Sequence, residues 1–558
     1  MITDHHKSTY SAAALYEAPR LLSLQDRDPA SHTYGCFDRN YWQWKFVDFP
    51  GSRFQEGAFS LALLYTGGFE GNPYHKKDRV RRWAVAGMRY WAGLLGRDGS
   101  LNEAYPNEHS FVATAFSLLS VAEAYSLLRD ETEAADSEMI LGAMAKAGGW
   151  LLKNEETHAF ISNHILGAAA ALNELYMITG DNRYAVRGKY FVDTVRRRQS
   201  GEGWFLEYTG ADPGYLTQGI YYMARYWMKT GDVEALESLR SAVGFLSHFV
   251  HPDQTLGGEY GSRNTEFYFP AGMEILSDSV PEAAAIAAHM RAGIRDGVSA
   301  GLAAMDAYNF MPLFSNYLVA HKELAGRKDV SAAPQALPFQ KEGDSAVYFE
   351  QARLAVVKKG GYYAVLGAGK GGVLKVYSTV SNRLVHSNCG YKGVLAGGAE
   401  VSTQSPGDAA VEHDPACGTF VIKGRFTGGR PRVFTSVGFL AFRLYNLTLC
   451  RSPYLARLLK ELIVKALIFK RGEFPAVYRR RVSFRDDRVD VDDEILADGK
   501  IEFESLSLLD KFTALHMGSS KYFQVRELDA EELPGGLGAQ DAGPGVKFER
   551  SISVMAGR

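Results

Sequence analysis

Three short clusters in the first half of the chain combine polar side chains with aromatic neighbours. The first is Asn163-His164, which stands where a helix is expected to begin. Asn and His side by side at a helix start can donate hydrogen bonds to a carboxylate, helped by the helix dipole. Capping of the helix by Ser162 or Asn163 explains the same residues without a ligand. The first cluster is therefore a candidate anion site with a structural alternative.

The second and third clusters are loops. The second covers residues 203–218, and a Pro-initiated turn explains part of it but not its density of Tyr and Trp. The third covers residues 257–266, where Arg263 could simply pair with Glu259 or Glu266. Aromatic side chains on a loop are suited to stacking on sugar rings. These loops therefore indicate a carbohydrate ligand.

The elements that must position these clusters are helices. From about Glu56 the sequence repeats apolar residues at helical spacing, and Gly/Asp turns such as 179–182 and 230–232 separate the segments. Such turns join antiparallel helices closely. Because no strict repeat motif recurs, the pattern favours a curved (α/α) toroid. We expect a catalytic toroid domain over residues 56–330, preceded by an N-terminal arm over residues 1–55.

In the second part of the chain the apolar residues recur at a different spacing. Residues 331–345 contain Pro, Ala and Gly and are the best candidate for a linker. Residues 346–558 alternate apolar and polar positions between Gly and Asp turns, which predicts an antiparallel β-sandwich. The predicted fold class is therefore α+β multidomain, an N-terminal (α/α) toroid of helical hairpins followed by a C-terminal antiparallel β-sandwich.

One segment of the second domain breaks the strand pattern. Residues 437–481 begin as an apolar segment with helical spacing and are rich in Lys and Arg. A basic amphipathic insertion can lie on an anionic membrane surface. It can also pack on the sandwich with its basic face in solvent. Peripheral membrane contact through 437–481 is thus one of two interpretations.

The composition is typical of a globular protein, with 46% hydrophobic and 23% charged residues over 558 positions. A net charge of -2 provides no global field for nucleic acid, so we expect no nucleic-acid partner. The four cysteines lie far apart and specify neither a zinc ribbon nor a disulfide framework. The N-terminus lacks the features of a secretory signal, which predicts a cytoplasmic location, with membrane association if the insertion binds lipid.

Together the clusters resemble the heparinase II/III-type polysaccharide lyases and the related alginate lyases. In that group a helix begins with an Asn-His pair and an apolar run, matched here by residues 163–169. A downstream Gln, a Gly, a Glu and a Tyr are matched by Gln199, Gly201, Glu207 and Tyr215. The family's toroid followed by a β-sandwich has the predicted domain order. The resemblance implies cleavage of a uronic-acid-containing glycan by β-elimination.

This reaction gives each matched residue a role. Removal of the C5 proton builds negative charge on the adjacent carboxylate, which Asn163 and His164 would neutralise. Tyr215 would act as base, acid or both, because a phenol oxygen can approach C5 and the leaving O4 from one face of the ring. The family often has His directly after this Tyr, whereas this chain has Leu216, so a second acid/base is unassigned. The remaining catalytic candidates are Arg263 and His386.

Further aromatic and polar residues are candidates for sugar subsites. The predicted substrate-binding residues are Trp204, Glu207, Tyr208, Gln218, Tyr260, Trp42, Trp44, Asn107 and His109. Packing of the N-terminal arm is the alternative explanation for Trp42 and Trp44, and helix capping is the alternative for Asn107. No compact His/Asp/Cys spacing specifies a metal, so no cofactor is predicted, although related lyases sometimes hold a structural divalent metal in the sandwich.

Three other functions remain open from the sequence. A uronate C5 epimerase begins with the same proton abstraction but returns a proton. A glycoside hydrolase needs two carboxylates that flank the bond, and several acidic residues in the loops are available. A non-catalytic glycan-binding protein of exopolysaccharide assembly would keep the cleft without turnover. The expected partner is an acidic polysaccharide or oligosaccharide.

Overall fold

The structure is a computed structural model that describes residues 8–43, 47–327, 335–404, 409–415, 418–428, 434–464, 473–497, 503–510 and 545–553. Helices form the first part and antiparallel strands the second, which confirms the predicted fold class. The helices of the first part are α1 (Thr9–Leu24), α2 (Arg39–Trp42), α3 (Gly57–Thr66), α4 (Asp78–Leu94), α5 (Phe111–Leu128), α6 (Ala134–Leu151), α7 (Ser162–Thr179), α8 (Asn182–Arg196), α9 (Pro213–Thr230), α10 (Val233–Ser247), α11 (Pro270–Leu276), α12 (Pro281–Arg295) and α13 (Ala307–Gly326).

These helices form two concentric rings. Helices α3, α5, α7, α9, α11 and α13 contact one another in this order, and α13 contacts α3 to close the inner ring. Helices α4, α6, α8, α10 and α12 each pack outside the inner helix that precedes them in the chain, and α1 packs outside α13. The segment predicted as an N-terminal arm therefore contains an outer helix of the toroid, and the helical domain begins at α1 rather than near residue 56.

The sequence explains which helices lie inside. Nearly every residue of α5 is buried and most are apolar, as expected of a helix surrounded by others. By length and composition Phe111–Glu131 could cross a membrane, but 89% of its apolar window is buried inside the toroid, as in a core helix. The turns act as predicted: Gly180 ends α7 with φ 72°, and Asp181 caps α8 by accepting from the Arg183 N–H.

The second part contains two antiparallel sheets. Its strands are β1 (Ser345–Phe349), β2 (Leu354–Lys359), β3 (Tyr362–Gly367), β4 (Val373–Ser378), β5 (Arg383–Asn388), β6 (Tyr391–Leu395), β7 (Glu400–Ser402), β8 (Ala410–Asp414), β9 (Thr419–Gly428), β10 (Glu473–Phe484), β11 (Arg488–Ala497), β12 (Phe503–Leu508) and β13 (Gly545–Ser553). The first sheet has the order β1-β2-β3-β4-β5. The second has the order β12-β6-β7-β9-β10-β11-β13, with β8 beside β9. Part of the predicted linker, residues 331–334, lies outside the described residues.

The first sheet is buried on both faces because its strands alternate between two cores. Ala364 and Leu366 of β3 pack in the core between the two sheets. Tyr363 and Val365 of the same strand pack in the core of the helical domain. The Tyr363 hydroxyl donates to the carbonyl of His248, 2.7 Å away, at the end of α10. This sheet therefore joins the sandwich to the toroid.

A helical hairpin interrupts the second sheet between β9 and β10. It consists of α14 (Ser436–Thr448) and α15 (Pro453–Val464). The predicted insertion over 437–481 extends too far, since residues 473–481 belong to β10. Within that strand Arg480 is buried and donates to both oxygens of Asp493 at 2.7 and 2.8 Å. The basic triplet at 479–481 is therefore part of the sheet, where an ion pair compensates the buried charge.

Candidate active site

A cleft of about 580 Å³ opens at one end of the toroid. Four inner helices, α5, α7, α9 and α13, contribute residues of their first turns to its walls. The N-terminal ends of these helices therefore surround the cleft, and their dipoles favour an anion there. The polar lining includes Arg53, Glu103, Glu108, His158, Asn163, His164, Tyr208, Tyr215, Gln218, Arg263, Asp306, Tyr308, Asn309 and Lys460.

Asn163 is held at the start of α7 by a buried carboxylate. Its backbone N–H and its side-chain Nδ2 donate to the two oxygens of Glu207 at 2.9 and 2.7 Å. Glu207 is 1% exposed and does not line the cleft, so it acts through Asn163. An Asn side-chain amide has two N–H donors, and this arrangement uses one. Asn163 lines the cleft and retains a second N–H donor besides the one that binds Glu207.

Burial also changes the charge state of Glu207. Desolvation raises its pKa to about 7, although Arg263 and the two donors of Asn163 oppose this shift. The nearest Arg263 nitrogen lies 3.6 Å from the carboxylate. Because the ionised form is only partly compensated, Glu207 changes its charge near neutral pH.

Tyr215 and Arg263 lie against each other in the cleft wall. The guanidinium carbon of Arg263 lies 3.5 Å from the centroid of the Tyr215 ring and 4.9 Å from that of Tyr208. Asp212, the N-cap of α9, accepts from the Tyr215 N–H at 3.0 Å and from the Arg263 N–H at 2.8 Å. One carboxylate therefore fixes the backbones of both residues. Asp212 also bonds the hydroxyl of Thr265, which anchors the Arg263 loop a second time.

Close backbone packing leaves no room for a side chain at two positions in this region. A Cβ on Gly214 would meet the Thr265 hydroxyl at 2.3 Å, and a Cβ on Gly261 would meet Asp212 at 2.7 Å. Both contacts are far inside van der Waals distance. The glycines thus allow the 257–266 loop to lie directly on the start of α9.

His164 is held by a different carboxylate. Its Nδ1 lies 2.8 Å from Glu156, whose side chain is 2% exposed. Burial alone would raise the pKa of Glu156, but hydrogen bonds from His158 and His164 hold it well below its usual range. Burial lowers the pKa of His164, and Glu156 opposes this only in part. The ionised Glu156 can only accept, so a neutral His164 carries its proton on Nδ1 and presents Nε2 as an acceptor.

The cleft lining contains a second group of charges. Arg53, on the 3-10 helix Ser52–Glu56, bonds Glu56 at 2.7 Å and lies 3.7 Å from Glu103. The Tyr308 hydroxyl donates to Glu103. Burial alone would raise the pKa of Glu103, but Arg53 and this hydrogen bond hold it below its usual range. Glu103 is therefore a paired carboxylate rather than a proton donor.

The sandwich domain reaches the cleft through the helical hairpin. Lys460 of α15 lines the cleft, and its ammonium lies 3.1 Å from Glu108. Burial alone would lower the pKa of Lys460, but the carboxylates of Glu108, Glu156 and Glu103 raise it, so the side chain remains charged. Lys460 thus completes the cleft with a cation from the second domain.

Residues on both sides of Glu108, the partner of Lys460, hold the hairpin against the toroid. Asn107 donates from Nδ2 to the carbonyl of Asn446 at 3.0 Å, and His109 Nε2 lies 3.2 Å from the carbonyl of Cys450. Arg443 bonds Asp48 at 3.1 Å. Asn107 and His109 were predicted to bind sugar, but the structure places them beneath the hairpin and not in the cleft lining.

The structure brings together most of the predicted catalytic residues. Asn163, His164, Tyr215 and Arg263 all line the cleft, as do the predicted binding residues Tyr208 and Gln218. His386 does not: it lies on β5, at the edge of the first sheet, outside the lining. The prediction that the sandwich would supply His386 to the cleft is therefore wrong, because the sandwich reaches it through α15.

Several predicted binding residues have structural partners instead. Trp204 donates to Glu202 at 2.9 Å, and Trp42 donates to the carbonyl of Leu24 at 2.8 Å. The Tyr260 hydroxyl bonds His251 at 2.8 Å between the toroid and the first sheet. None of these three aromatic residues lines the cleft, and Trp44 lies outside the described residues.

Sequence reasoning missed Arg53, Glu103 and Tyr308 as cleft residues and treated Lys460 only as part of a basic segment. The local sequence around these residues contains no distinguishing motif. Within the described residues, no group of three or more His, Cys, Asp or Glu side chains could hold a metal ion.

One family model matches part of the chain. Residues 73–272 match the family model of the ulvan lyase N-terminal domain, and this range contains Asn163, His164, Tyr215 and Arg263. The resemblance to polysaccharide lyases with a toroid is confirmed. The matched range covers less than half of the chain. No curated protein matches the sequence.

Solved structures of a chondroitin AC lyase and a xanthan lyase share the fold. A Streptomyces coelicolor A3 chondroitin AC lyase in complex with chondroitin sulphate is similar with a TM-score of 0.54 and 12% identity, over 91% of this chain and 69% of that chain. A Paenibacillus xanthan lyase is similar with a TM-score of 0.53 and 12% identity, over 91% of this chain. This chain spans about half, 47%, of the length of the xanthan lyase. Heparinase III is similar with a TM-score of 0.48 and 10% identity, over 99% of this chain and 86% of that chain.

Proposed function

We propose that the protein is a polysaccharide lyase that cleaves a uronic-acid-containing glycan by β-elimination. The observation that carries this proposal is the wall formed by Asn163, Tyr215 and Arg263 in one cleft. An amide donor, a phenol and a guanidinium are the groups needed to neutralise a carboxylate, move a proton and stabilise the charge that develops.

The proton transfer can be written with these residues. The ionised Tyr215 oxygen takes the proton from C5, while the free N–H of Asn163 donates to the uronate carboxylate. The C4–C5 double bond forms as the bond from C4 to O4 breaks. The departing O4 then takes a proton from the Tyr215 phenol, so Tyr215 returns to its starting state. The products are a new chain end and a 4,5-unsaturated uronate.

Arg263 supports this cycle through the Tyr215 ring. A guanidinium held 3.5 Å from the ring centroid stabilises negative charge on the phenol oxygen in a buried environment. Arg263 is 7% exposed and Tyr215 is 8% exposed, so water screens this interaction only weakly. Asp212 keeps the two side chains together because it binds the backbone of each.

His164 provides a second proton acceptor. The sequence predicted that it would donate to the uronate carboxylate, but a neutral His164 donates from Nδ1 to Glu156 and offers only Nε2 to the cleft. An acceptor nitrogen can take a proton from the substrate or from Tyr215. We therefore assign to His164 the second acid/base role that the residue after Tyr215 does not fill: Nε2 takes the phenol proton before the cycle begins, which leaves His164 protonated and Tyr215 as the phenolate that reacts with C5.

The cleft favours an acidic glycan. Lys460, Arg53 and Arg263 bring three cations to its lining, and four inner helices direct their N-terminal ends at it. Carboxylates balance these cations in the structure, so the cations are held in place before a ligand arrives. Cations that are preorganised in this way support recognition of carboxylate or sulfate groups on a sugar chain.

The carboxylates of the cleft argue against a hydrolase. A general acid for glycoside hydrolysis needs a raised pKa and a second carboxylate across the bond. Among the described lining residues, Glu103 has a lowered pKa, Glu108 is paired with Lys460, and Asp306 caps α13. The carboxyl group with a raised pKa, Glu207, lies outside the lining.

The test is incubation of the full chain with a panel of uronate polysaccharides, including chondroitin, alginate, xanthan and ulvan. The proposal predicts growth of the ultraviolet absorbance of a conjugated unsaturated uronate. The same reactions in deuterated water separate the alternatives: deuterium at C5 without cleavage indicates an epimerase, and new reducing ends without absorbance indicate a hydrolase. Binding without either change indicates a glycan-binding protein.

A further inference from the structure

The helical hairpin exposes its apolar side chains to solvent. On α14 the residues Val437, Leu440 and Leu444 lie at helical spacing and are 77%, 67% and 66% exposed. On α15 the residues Tyr454, Leu458 and Leu462 repeat every fourth position and are also exposed. Residues at these spacings share one face of a helix. Each helix of the hairpin therefore carries an exposed apolar stripe.

The faces that contact the rest of the protein carry apolar as well as polar residues: the Phe442 ring packs edge-on against Tyr105 at 5.2 Å, and Ile463 and Val464 line the cleft. On α14, Arg443 bonds Asp48 and Asn446 is fully buried against the toroid. On α15, Ala456 is buried and Lys460 points to Glu108 in the cleft. The hairpin thus has apolar residues on its buried side and on its exposed side, whereas an ordinary surface helix exposes a polar face.

Such a surface is unusual for a soluble protein. The helices of the toroid expose fewer large apolar residues each: Val186 and Tyr190 lie on α8, and Val233 lies on α10. In the hairpin two apolar stripes lie on consecutive helices joined by a short turn. A contiguous exposed apolar surface marks a site of interaction with a protein or a membrane.

We propose that the exposed face of the hairpin α14–α15 docks on an anionic lipid bilayer. The exposed charged residues of the hairpin are Arg451, Arg457 and Glu461, of which Arg457 and Glu461 pair at 2.9 Å, so this surface has a net positive charge, whereas the whole chain has a net charge of -2. Arg451 and Arg457 are exposed and belong to the same hairpin as the apolar stripes. Apolar residues that enter the lipid surface, together with basic residues that bind acidic headgroups, define an interfacial helix.

The pattern favours a bilayer over a second copy of the chain. A self-complementary interface would have to pair this basic hairpin with itself, which places like charges together. A bilayer with acidic lipids instead supplies the opposite charge. Tyr454, which is 74% exposed, has the apolar ring and polar hydroxyl that suit the level of the lipid headgroups. Docking would hold the protein at the membrane with its cleft beside the hairpin.

The test is co-sedimentation of the full chain with vesicles of phosphatidylcholine that contain phosphatidylglycerol, and with vesicles of phosphatidylcholine alone. We expect binding to the first and little binding to the second. A Leu440→Asp/Leu444→Asp variant should bind the acidic vesicles at least about ten-fold more weakly. Since both side chains are exposed, the variant should retain the thermal unfolding temperature of the wild type.

A Val186→Asp/Val233→Asp variant is the matched control, because it introduces the same charge at exposed apolar positions of the toroid. It should bind vesicles as the wild type does. A second pair of substitutions, Tyr454→Asp/Leu458→Asp, tests the stripe of α15 in the same way. Equal recovery of the wild type with and without acidic vesicles would overturn the proposal. A dimer in light scattering that the Leu440→Asp/Leu444→Asp variant dissociates, without vesicle binding, would assign the face to a second copy instead.

Discussion

The guanidinium carbon of Arg263 lies 3.5 Å from the centre of the Tyr215 ring, although the two residues are 48 positions apart in the chain. Asp212 produces this contact by binding a backbone N–H of each residue. A phenol that must carry negative charge during proton transfer is thus placed against a fixed cation. Five substitutions test this contact and its neighbours, four through activity and one through stability.

Substitution Arg263→Lys tests the planar contact while the positive charge is kept. An ammonium cannot stack flat on the ring, so the phenolate loses its partner. We expect kcat to fall by about 100-fold, with a smaller change in KM, because the contact matters most when charge develops on Tyr215. Steady-state kinetics on the glycan that the wild type cleaves provide the measurement. Arg183→Lys, at an exposed site on α8, is the matched control, and equal kcat for all three proteins would show that the stacking is not used.

Glu207→Gln tests the buried carboxyl below Asn163. Burial raises the pKa of Glu207 to about 7 in the folded protein, above an ordinary value near 4.5. The folded state therefore favours the protonated carboxyl, and the associated stability is complete below about pH 4.5 and is lost as pH rises through about 7. Glutamine does not titrate. Relative to the wild type, the free energy of unfolding of the variant should therefore rise by up to about 3 kcal/mol between pH 4.5 and 8.

Unfolding by denaturant across this pH range measures the difference for Glu207→Gln. The two proteins are compared by how the free energy of unfolding changes with pH. Loss of a hydrogen bond to Asn163 lowers the free energy of unfolding of the variant as a whole, whereas the titration of Glu207 changes its dependence on pH. Glu237→Gln, an exposed change on α10, is the control and should follow the wild type. Parallel stability curves for wild type and Glu207→Gln would contradict the raised pKa.

The pH dependence of activity tests the role of His164. Burial lowers the pKa of His164, so Nε2 is free to accept a proton through the neutral range. The acid limb of kcat/KM should therefore lie below the ordinary histidine value of about 6.5. In Glu156→Gln the opposing carboxylate is absent, so the acid limb should move to lower pH and kcat should fall as the Nδ1 tautomer is no longer enforced. An acid limb that stays in place in this variant would exclude His164 as the titrating group.

Lys460→Met tests the contribution of the second domain to substrate binding. The side chain keeps its length but loses its charge, and Glu108 retains the backbone donors of Glu103 and Ala104 at 2.8 and 2.7 Å. We expect KM for an acidic glycan to rise by about ten-fold with little change in kcat, because a charge-assisted contact is lost in both the ground and transition states. The dependence of KM on salt should weaken as well. Arg457→Met on the exposed side of α15 controls for the loss of a charge.

The helical rings could be predicted because the distribution of apolar residues around a helix indicates whether it lies inside or outside. Helix α5 is apolar on all sides and lies inside, whereas α4 is strongly amphipathic and lies outside. Asn163 and Tyr215 were also predictable, since both stand at the starts of helices marked by local turn residues. Local signals therefore identified the part of the site that lies at helix N-termini.

The rest of the site depends on contacts between distant segments. Lys460 meets Glu108 only because the hairpin folds back from the second sheet onto the toroid, and no local pattern encodes that path. His386 was misplaced for the same reason, since its position at the edge of a sheet follows from strand order. Trp204 and Tyr260 resemble sugar-binding aromatics in sequence, but buried hydrogen bonds to Glu202 and His251 account for them.

The central claim is that Tyr215 moves the proton. Tyr215→Phe removes one oxygen and leaves the ring that Arg263 contacts, so the cleft should keep its shape and its affinity for the glycan. The decisive measurement follows ultraviolet absorbance of the unsaturated product together with glycan binding by calorimetry, for the wild type, for Tyr215→Phe and for the control Tyr16→Phe, whose ring is 82% exposed. The account predicts product from the wild type and the control, and binding without product from Tyr215→Phe. Wild-type rates of product formation by Tyr215→Phe would contradict it.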